Sequence, residues 1–473
     1  MFRPDDERCR GLWAAVILLL LLCLSPAASG QEPDLPPDTR FVMSFFKANT
    51  VGGDERLHIA VSPDGQNWTA LNGGNAVWQH PQWPHYVVRD PTIVFHKGWY
   101  WVAHTSGAYG RHPEHPAFGL LKSKDLLNWT HVGEIDTTIP GMTDPFTWNP
   151  CFFKDSDGSL HVFVSISPIN GHNFYPIPAL RTYELHPLND DMTEWSAPAL
   201  VELPHSNTNE FWAWKDGDTY HAVYVSFSSN GQLVHATSKN LLTGWGNERV
   251  FGFPTEEGIF VLKKPDGNYR LYSETGNGTA TGYLWRDTNR DFSVFTQPTL
   301  TTTDTPMRNG KPTAAAPFLT YDTWRARFMP DVPAGDSAPA ADADQDGLSN
   351  LQEYAFDLNP LRPSSSPILL TDANGLATTW RRSSSRKDVA VTPQLASQLG
   401  TWEGDPAALA IESVTLMIDG SEQVQARRIG AAPAAGRQFI RLEVALPTDG
   451  AAILSAEPPT PIKVRRQKAR KRR

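Results

Sequence analysis

Between about residues 40 and 300 the chain alternates short apolar runs with turn residues, and no helical periodicity of useful length interrupts them. Four runs share one shape. Asp90-Pro-Thr-Ile-Val-Phe leads through Lys97-Gly98 into Trp99, Tyr100 and Trp101, and Asn149-Pro-Cys-Phe-Phe leads through Asp157-Gly158 into Leu160 to Val164. Glu210-Phe-Trp-Ala-Trp passes Asp216-Gly217 to Tyr220–Val225, and Glu257-Gly-Ile-Phe-Val-Leu passes Asp266-Gly267 to Tyr269–Tyr272. An Asp-Gly pair between strand-like runs predicts a hairpin, because glycine accepts the positive φ such turns demand. A second feature closes the units: Ser62-Pro-Asp-Gly-Gln-Asn-Trp68, Ser123-Lys-Asp-Leu-Leu-Asn-Trp129, Asp191-Met-Thr-Glu-Trp195 and Ser238-Lys-Asn-Leu-Leu-Thr-Gly-Trp245.

Repeated antiparallel units of this length predict propeller blades, five in number, over about 40–75, 85–140, 145–203, 205–253 and 254–300. The expected fold class is therefore all-β. Propeller strands run radially, so the starts of the innermost strands converge near the axis. Asp90, Asn149, Glu210 and Glu257 open those strands, which brings three carboxylates to one funnel.

Beyond residue 300 the pattern stops. Thr301 to Ala316 is rich in Thr, Pro and Ala and reads as linker, Tyr321 to Met329 as a short helix, and Pro333 to Ala341 as more linker, so that 301–341 separates two modules. A chain of 473 residues exceeds what one core usually serves, in keeping with several domains. Residues 363–450 carry scattered strand-like runs and are expected to form a small β-sandwich-like module, and 451–473 a basic disordered tail.

The N-terminus bears on the compartment. Arg8 and Arg10 precede an apolar run from Leu12 to Leu24, and the small residues Ala27, Ala28, Ser29 and Gly30 follow, which is signal-peptide anatomy for 1–30. The expectation is a secreted, periplasmic or cell-surface protein without a stable membrane span after cleavage, and monomeric. Removal of that segment leaves Cys151 as the lone cysteine, so no intramolecular disulfide is expected. The net charge of −9 and the absence of a nucleic-acid fold signature argue against nucleic acid as a partner, despite the basic tail. Aromatics make up 11% of the chain, with 16 Trp, and serve equally as core or as stacking platforms for sugar rings.

The most specific single motif is Asp342-Ala-Asp344-Gln-Asp346-Gly347-Leu348-Ser-Asn350-Leu-Gln-Glu353, which fits the calcium-loop pattern at every fixed position. Calcium takes six to eight oxygens, and Asp342, Asp344, Asp346, the Leu348 carbonyl, Asn350 and Glu353 would supply them around the Gly347 turn. The segment 342–362 resembles thrombospondin type 3 and dockerin-like calcium repeats, with a structural role at the junction of modules.

Val88-Arg-Asp90-Pro-Thr-Ile-Val, Ser123 to Trp129 and Glu257-Gly-Ile-Phe-Val together resemble glycoside hydrolase family 43, over roughly residues 40–300. The resemblance implies a five-bladed propeller hydrolysing glycosidic bonds with no catalytic cofactor, with Asp90 as general base and Glu257 as general acid. Inversion by that pair needs carboxyl groups ~6.5–9.5 Å apart and a Glu257 whose pKa is raised. The family's third acid sits in Trp-Ala-Pro-Asp; here the stretch reads Trp148-Asn149-Pro150-Cys151, so Asp144 or Glu210 would tune Glu257 instead, with Glu256 a further neighbour. Arg89, Trp148, Trp212 and His104 are the candidate sugar-binding side chains, with Trp212 and Trp214 on one strand face. Beside the resemblance, Asp90 has a plainer reading as an ion-paired or capping residue, Glu257 as a solvated loop charge, and the tryptophans as packing between blades.

The resulting expectation is a hydrolase acting on plant or algal polysaccharide, of arabinofuranosidase or xylosidase type. Its rivals are a non-catalytic carbohydrate-binding propeller and a different five-bladed hydrolase resembling family 117 or 32.

Overall fold

The computed structural model describes residues 35–36, 39–47, 54–107, 115–142, 145–167, 180–254, 256–275, 282–315, 320–364, 369–370, 377–383, 386, 388–398, 401–403, 409–429 and 439–446. The apolar leader, Asp144 and the basic tail lie outside these residues. The described structure is all-β apart from two short α-helices and two single 3-10 turns.

Strands β1 (Phe41–Phe46), β2 (His58–Ser62) and β3 (Asn67–Ala70) form a first meander. A second contains β4 (Tyr86–His96), β5 (Trp99–Gly107), β6 (Ala117–Ser123) and β7 (Thr130–Asp136). A third runs through β8 (Phe146–Lys154), β9 (Leu160–Ser167), β10 (Arg181–Leu185) and β11 (Ala199–Leu200). A fourth runs through β12 (Thr208–Asp216), β13 (Thr219–Ser226), β14 (Gln232–Ser238) and β15 (Gly246–Phe251). The fifth comprises β16 (Glu256–Lys263), β17 (Tyr269–Thr275), β18 (Leu284–Thr288) and β19 (Thr299–Leu300).

Two further strands, β20 (Thr302–Thr303) and β21 (Arg308–Ala314), return to the first meander: β20 lies parallel to β3, and β21 lies antiparallel to β1. A single parallel bridge, Lys311 to Thr92, joins β21 to β4, so the first two meanders form one nine-stranded sheet and none of the sheets closes on itself. The first strands are neighbours in cyclic order: β4 packs on β8, β8 on β12, β12 on β16, β16 on β21 and β21 on β4.

This corrects the expected linker over 301–341. The segment Arg308–Ala314 is an inner strand, buried at every residue but Thr313. Its sequence, RNGKPTA, carries no apolar alternation, because its side chains pack among polar groups at the centre rather than against a hydrophobic face.

The hairpin expectation holds at each turn, with Gly98, Gly158, Gly217 and Gly267 all at positive φ. The closing tryptophans also share one role. The indole N–H of Trp68, Trp129, Trp195 and Trp245 donates to the carbonyl of Gly65, Leu126, Met192 and Leu241, at 3.1, 2.8, 2.7 and 3.1 Å. Cores lie between adjacent meanders: Val88, Tyr100 and Leu121 with Val42 and Ile59; Trp101 and Phe118 with Leu160 and Val164; Phe163 with Phe211 and Tyr224.

Helices α1 (Tyr321–Phe328) and α2 (Asn350–Phe356) pack through Tyr321, Trp324 and Tyr354. Beyond them lie a sheet of β22 (Leu369–Leu370), β23 (Ala377–Ser383), β26 (Leu409–Leu416) and β27 (Ser421–Arg428), and another of β24 (Ala390–Gln398), β25 (Thr401–Glu403) and β28 (Phe439–Ala445). Phe356, Trp380, Val424, Ala426 and Leu442 fill the space between them. This region docks on the fourth and fifth meanders, where the Ile418 amide donates to the Lys263 carbonyl at 2.7 Å and Ser413 accepts from the Gly217 amide at 3.1 Å.

Candidate active site

Each first strand is interrupted at the same place. Pairing skips between Arg89 and Thr92, Trp148 and Cys151, Asn209 and Trp212, Glu257 and Phe260, and, on β1 against β21, between Ser44 and Phe46. At each skip one residue takes a left-handed conformation: Asp90 (φ 47°), Asn149 (49°), Glu210 (55°), Gly258 (64°) and Asn309 (42°). A bulge of this kind re-aims a side chain out of the pleat. Five bulges on five mutually neighbouring strands bring these residues, and those preceding them, to one place. Four of the five left-handed positions carry a side chain; Gly258 is the exception, where a Cβ would meet Asn309 Oδ1 at 3.0 Å and Glu274 Cγ at 3.1 Å.

Asp90 is buried and held from two sides. Asn309 Nδ2 donates to its Oδ1 at 2.6 Å and Thr105 Oγ1 donates to its Oδ2 at 3.0 Å. Thr105 in turn accepts the Asn149 amide at 3.0 Å, tying the second and third meanders together. The Asn149 side chain donates to Asn209 Oδ1 at 2.9 Å. Glu210 accepts the amides of Gly258 and Ile259 at 2.6 and 3.3 Å, so its carboxylate is anchored at the turn beside Glu257. Burial raises the pKa of Glu210, and the charge of Asp90 adds to the rise, while Lys311 and the two amides oppose it.

Glu257 is the most accessible acid of the group, with 37% of its side-chain surface open. Arg308 donates to it at 2.9 Å and also to Glu274 Oε1, at 3.1 Å. Loss of hydration, then the charges of Glu210 and Glu274, push Glu257 up to about 8 against the pull of Arg308. Glu274, fully buried, is pushed up to about 7 by burial and by Glu210. Lys311 is fully buried, and its ammonium makes no hydrogen bond among the described residues. Asp90, Glu210, Glu257, Glu274 and Arg308 thus form one electrostatic cluster, with Asp90 acting on both Glu210 and Glu257. Such a cluster offers one accessible carboxylic acid protonated near neutrality beside a second, hydrogen-bonded carboxyl, which is the pairing acid–base chemistry requires.

Several expected residues fall elsewhere. Glu256 is not a neighbour of Glu257 in this cluster; alternation along β16 turns it to the other face, where Arg286 pairs with it at 2.6 Å. Trp212 and Trp214 do share a face, but both are buried in an apolar cluster, Trp212 against Phe260 with ring centroids 6.2 Å apart. Trp212 is therefore packing and not a sugar platform. His104 has no accessible surface; its ring occupies the space left by Gly119, and burial lowers its pKa to about 4. It cannot touch a ligand. Trp148, half-buried, precedes the Asn149 bulge and lies against Phe146 with ring centroids 4.8 Å apart and planes tilted by 55°, and Arg89 precedes the Asp90 bulge with its guanidinium 5.7 Å from the Phe46 ring centre. Both remain beside the cluster. Asp144 lies outside the described residues, which leaves Glu210 as the tuning group among them.

Glu274, Arg308, Asn309 and Lys311 were not anticipated. Arg308 to Lys311 fell in the stretch read as linker; a faint signal was available, since Arg308-Asn-Gly-Lys repeats the polar opening of the other inner strands. Cys151 sits behind the site with its thiol pushed up to about 12 by burial, and is inert there.

The calcium-loop carboxylates do converge: Asp342, Asp344 and Asp346 hold ligand oxygens within 4.8 Å of one another. Glu353 is fully buried with neither carboxyl oxygen hydrogen-bonded, and burial and then the three aspartates raise its pKa to about 8. A buried carboxyl with no partner, aimed at three others, fits a hard cation. Asn350 departs from expectation: its amide donates to the carbonyls of Asp336 and Ala338 at 2.8 and 2.9 Å and accepts from Ala343 at 3.3 Å. Its amide nitrogen ties the loop to the segment before it, and its carbonyl oxygen already accepts one hydrogen bond.

Residues 37–249 match the sequence family of glycoside hydrolase family 43-related domains, described as "Probable glycosyl hydrolase domain". That domain is of glycosidase type, and the matched stretch holds Asp90, Asn149 and Glu210 but ends before Glu257. No curated protein matches the chain. Among solved structures, the chain is similar to an α-L-arabinofuranosidase from Lactobacillus brevis, at 16% identity over 45% of this chain and 73% of that one, TM-score 0.36. An exo-β-1,3-galactanase from Clostridium thermocellum matches at 15% identity over 55% and 59%, TM-score 0.42. An endo-arabinase from Bacteroides thetaiotaomicron matches at 14% over 58% and 97%, TM-score 0.39.

Proposed function

We propose that this glycosidase-type domain is a five-bladed propeller whose central carboxyls hydrolyse a glycosidic bond with inversion, in a secreted protein acting on plant or algal polysaccharide. The observation that carries the reading is Glu257: an accessible carboxyl pushed up to about 8 within a cluster that also holds Asp90. In this mechanism Glu257, protonated, donates to the leaving glycosidic oxygen as the C–O bond breaks. Asp90 takes a proton from water, which attacks the anomeric carbon from the opposite face. Asn309 and Thr105 orient the Asp90 carboxylate by hydrogen bonds to its two oxygens. Glu210 raises the acidity threshold of Glu257 by its negative charge and, through its hold on the Gly258 and Ile259 amides, fixes the turn on which Glu257 sits. Arg308 bridges Glu257 and Glu274 and limits the rise. Trp148 and Arg89 flank the cluster and are the side chains proposed to contact sugar.

The substrate proposed is an α-L-arabinofuranosyl or β-D-xylosyl unit. Asp342, Asp344, Asp346 and Glu353, with the Leu348 carbonyl, would hold a structural Ca²⁺ that supplies cross-linking charge and no chemistry. The test is hydrolysis of aryl α-L-arabinofuranoside, aryl β-D-xyloside and a panel of plant and algal polysaccharides, beside a Glu257→Gln control. Turnover that falls by about 10²–10⁴ in the control supports the acid assignment. Sugar binding without turnover in either protein would point to a binding propeller instead.

A further inference from the structure

Three groups of metal-competent side chains occur among the described residues, and two of them belong to neither the central cluster nor the calcium loop; one of these two is His161, Glu184 and His186. His161 lies on β9, Glu184 on β10, and His186 follows the last residue of β10. Glu184 pairs with Phe163 and Leu185 with Val162, so continuing that register past the strand end sets His186 opposite His161, with Glu184 on the diagonal. His161 Nδ1 stands 2.6 Å from Glu184 Oε1, and His186 Nδ1 stands 3.0 Å from the same oxygen.

The protonation pattern is decided from the far side of His161. Ser159 Oγ donates its hydrogen to Asp157 Oδ1 at 2.6 Å, because a carboxylate can only accept. The same hydroxyl oxygen is 3.0 Å from His161 Nε2 and has only lone pairs left, so Nε2 carries the N–H. In the neutral ring Nδ1 then presents a lone pair to a carboxylate oxygen at hydrogen-bond distance, and His186 Nδ1 approaches that oxygen as well. The contact is closed either by a second proton on the His161 ring, which then pairs with Glu184 as an imidazolium, or by a metal ion held among the three donors. The Asp157–Ser159–His161 relay is the kind of outer shell that orients a ligating imidazole.

We propose that His161 Nδ1, His186 Nδ1 and Glu184 Oε1 form a binding site for a divalent transition metal of the zinc class, on the third meander and apart from the carboxyl cluster. Two imidazoles and one carboxylate are a known three-ligand set for zinc, whereas calcium and magnesium prefer oxygen. A tetrahedral zinc with bonds of about 2.0–2.1 Å separates its donors by roughly 3.3 Å, so from 2.6 and 3.0 Å His161 would back away by about 0.7 Å and His186 by about 0.3 Å. The Glu184 side chain is 4% exposed and His161 17%, while His186 is 45% exposed, so the ion would sit at the rim with its fourth position open to water.

The group His80, His131 and Glu134 of the second meander reads differently. The Gln82 amide donates to His80 Nδ1 at 3.0 Å, which puts the N–H on Nε2, facing Glu134 at 3.5 Å. Ser106 donates to Glu134 as well, at 2.5 Å, and His115 and His131 each approach it at 3.2 Å. Those donors satisfy the carboxylate without a metal, and this group serves as the control.

The experiment is titration of the full-length mature protein, stripped with chelator, with Zn²⁺ by calorimetry and with Co²⁺ by its visible absorption, which is intense only in tetrahedral coordination. The expected result is a tight site whose affinity drops at least about tenfold in His161→Ala and in His186→Gln, and about tenfold in Ser159→Ala, with His131→Ala unchanged. His186→Gln is a surface change and keeps the melting temperature, which separates loss of a ligand from loss of fold. The proposal is overturned if no tetrahedral Co²⁺ spectrum develops, or if binding survives in His161→Ala and His186→Gln or is abolished by His131→Ala.

Discussion

At the scale of single residues, the site turns on which carboxyl keeps its proton. Glu257 and Glu210 are separated in role by what touches them. Glu210 is raised by burial but accepts two backbone amides that oppose the rise, whereas Glu257 has no backbone donor among the described residues, one guanidinium and the charges of Glu210, Glu274 and Asp90 acting on it. A general acid must be protonated to work, so activity is expected to fall as pH rises through about 8, where Glu257 loses its proton. In Glu210→Gln the repulsion is gone and Glu257 releases its proton at lower pH. The alkaline limb of kcat/KM on an aryl glycoside should then move down by on the order of one pH unit. A limb that stays in place would show that another group sets it. Asp90 and Glu257 were legible from their motifs, and Glu210 from its place at a strand start. Glu274 was not, because it sits in the second strand of its hairpin and reaches the centre only through the register Glu257 to Glu274.

At the scale of elements, local chemistry dictated much. The Gly turns and the tryptophan closures read directly as hairpins because each is completed within a few residues, the indole N–H reaching a carbonyl three or four positions back. The bulges were invisible: nothing in Asn149-Pro150 or Glu210-Phe211 announces a positive φ, which is imposed by crowding of five strands at one centre. The calcium loop lies between these cases. Its spacing is fully local, but the burial of Glu353 and the diversion of Asn350 depend on Asp336 and Ala338 folding back. Calcium should stabilise this element by roughly 2.7 kcal/mol at a concentration a hundredfold above Kd. The folded state holds the Glu353 proton up to about pH 8, while the unfolded chain releases it in the ordinary carboxylate range. Metal-free protein should therefore lose stability as pH rises across that window, and calcium should abolish the slope. Thermal unfolding with chelator and with calcium at several pH values checks this; a Glu353→Gln variant should lose both the calcium effect and the pH slope.

At the scale of the whole molecule, the strand after the last meander matters more than its composition suggests. β21 pairs with β1 across most of the chain and supplies Arg308, Asn309 and Lys311 to the centre. A chain ending at residue 300 should leave β1 without its inner partner and Asp90 without Asn309, and should not unfold cooperatively. One ending at residue 316 should keep a cooperative transition, at a lower temperature because the contacts of Ser413 and Ile418 are gone. Circular dichroism on heating distinguishes them, and equal melting of the two would refute the role assigned to β21.

The sequence by itself determined the all-β class, the repeat, the turns, the order of the acids and the spacing of the carboxylates in the 342–353 loop, because each is written in contacts between residues near one another in the chain. Tertiary structure alone decided that a Thr- and Pro-rich segment is an inner strand, that His104 and Trp212 are buried, and that Glu274 and Arg308 meet Glu257. Those outcomes depend on strands from distant parts of the chain sharing one centre, where a side chain's surroundings are set by its neighbours in space and no longer by its neighbours in sequence.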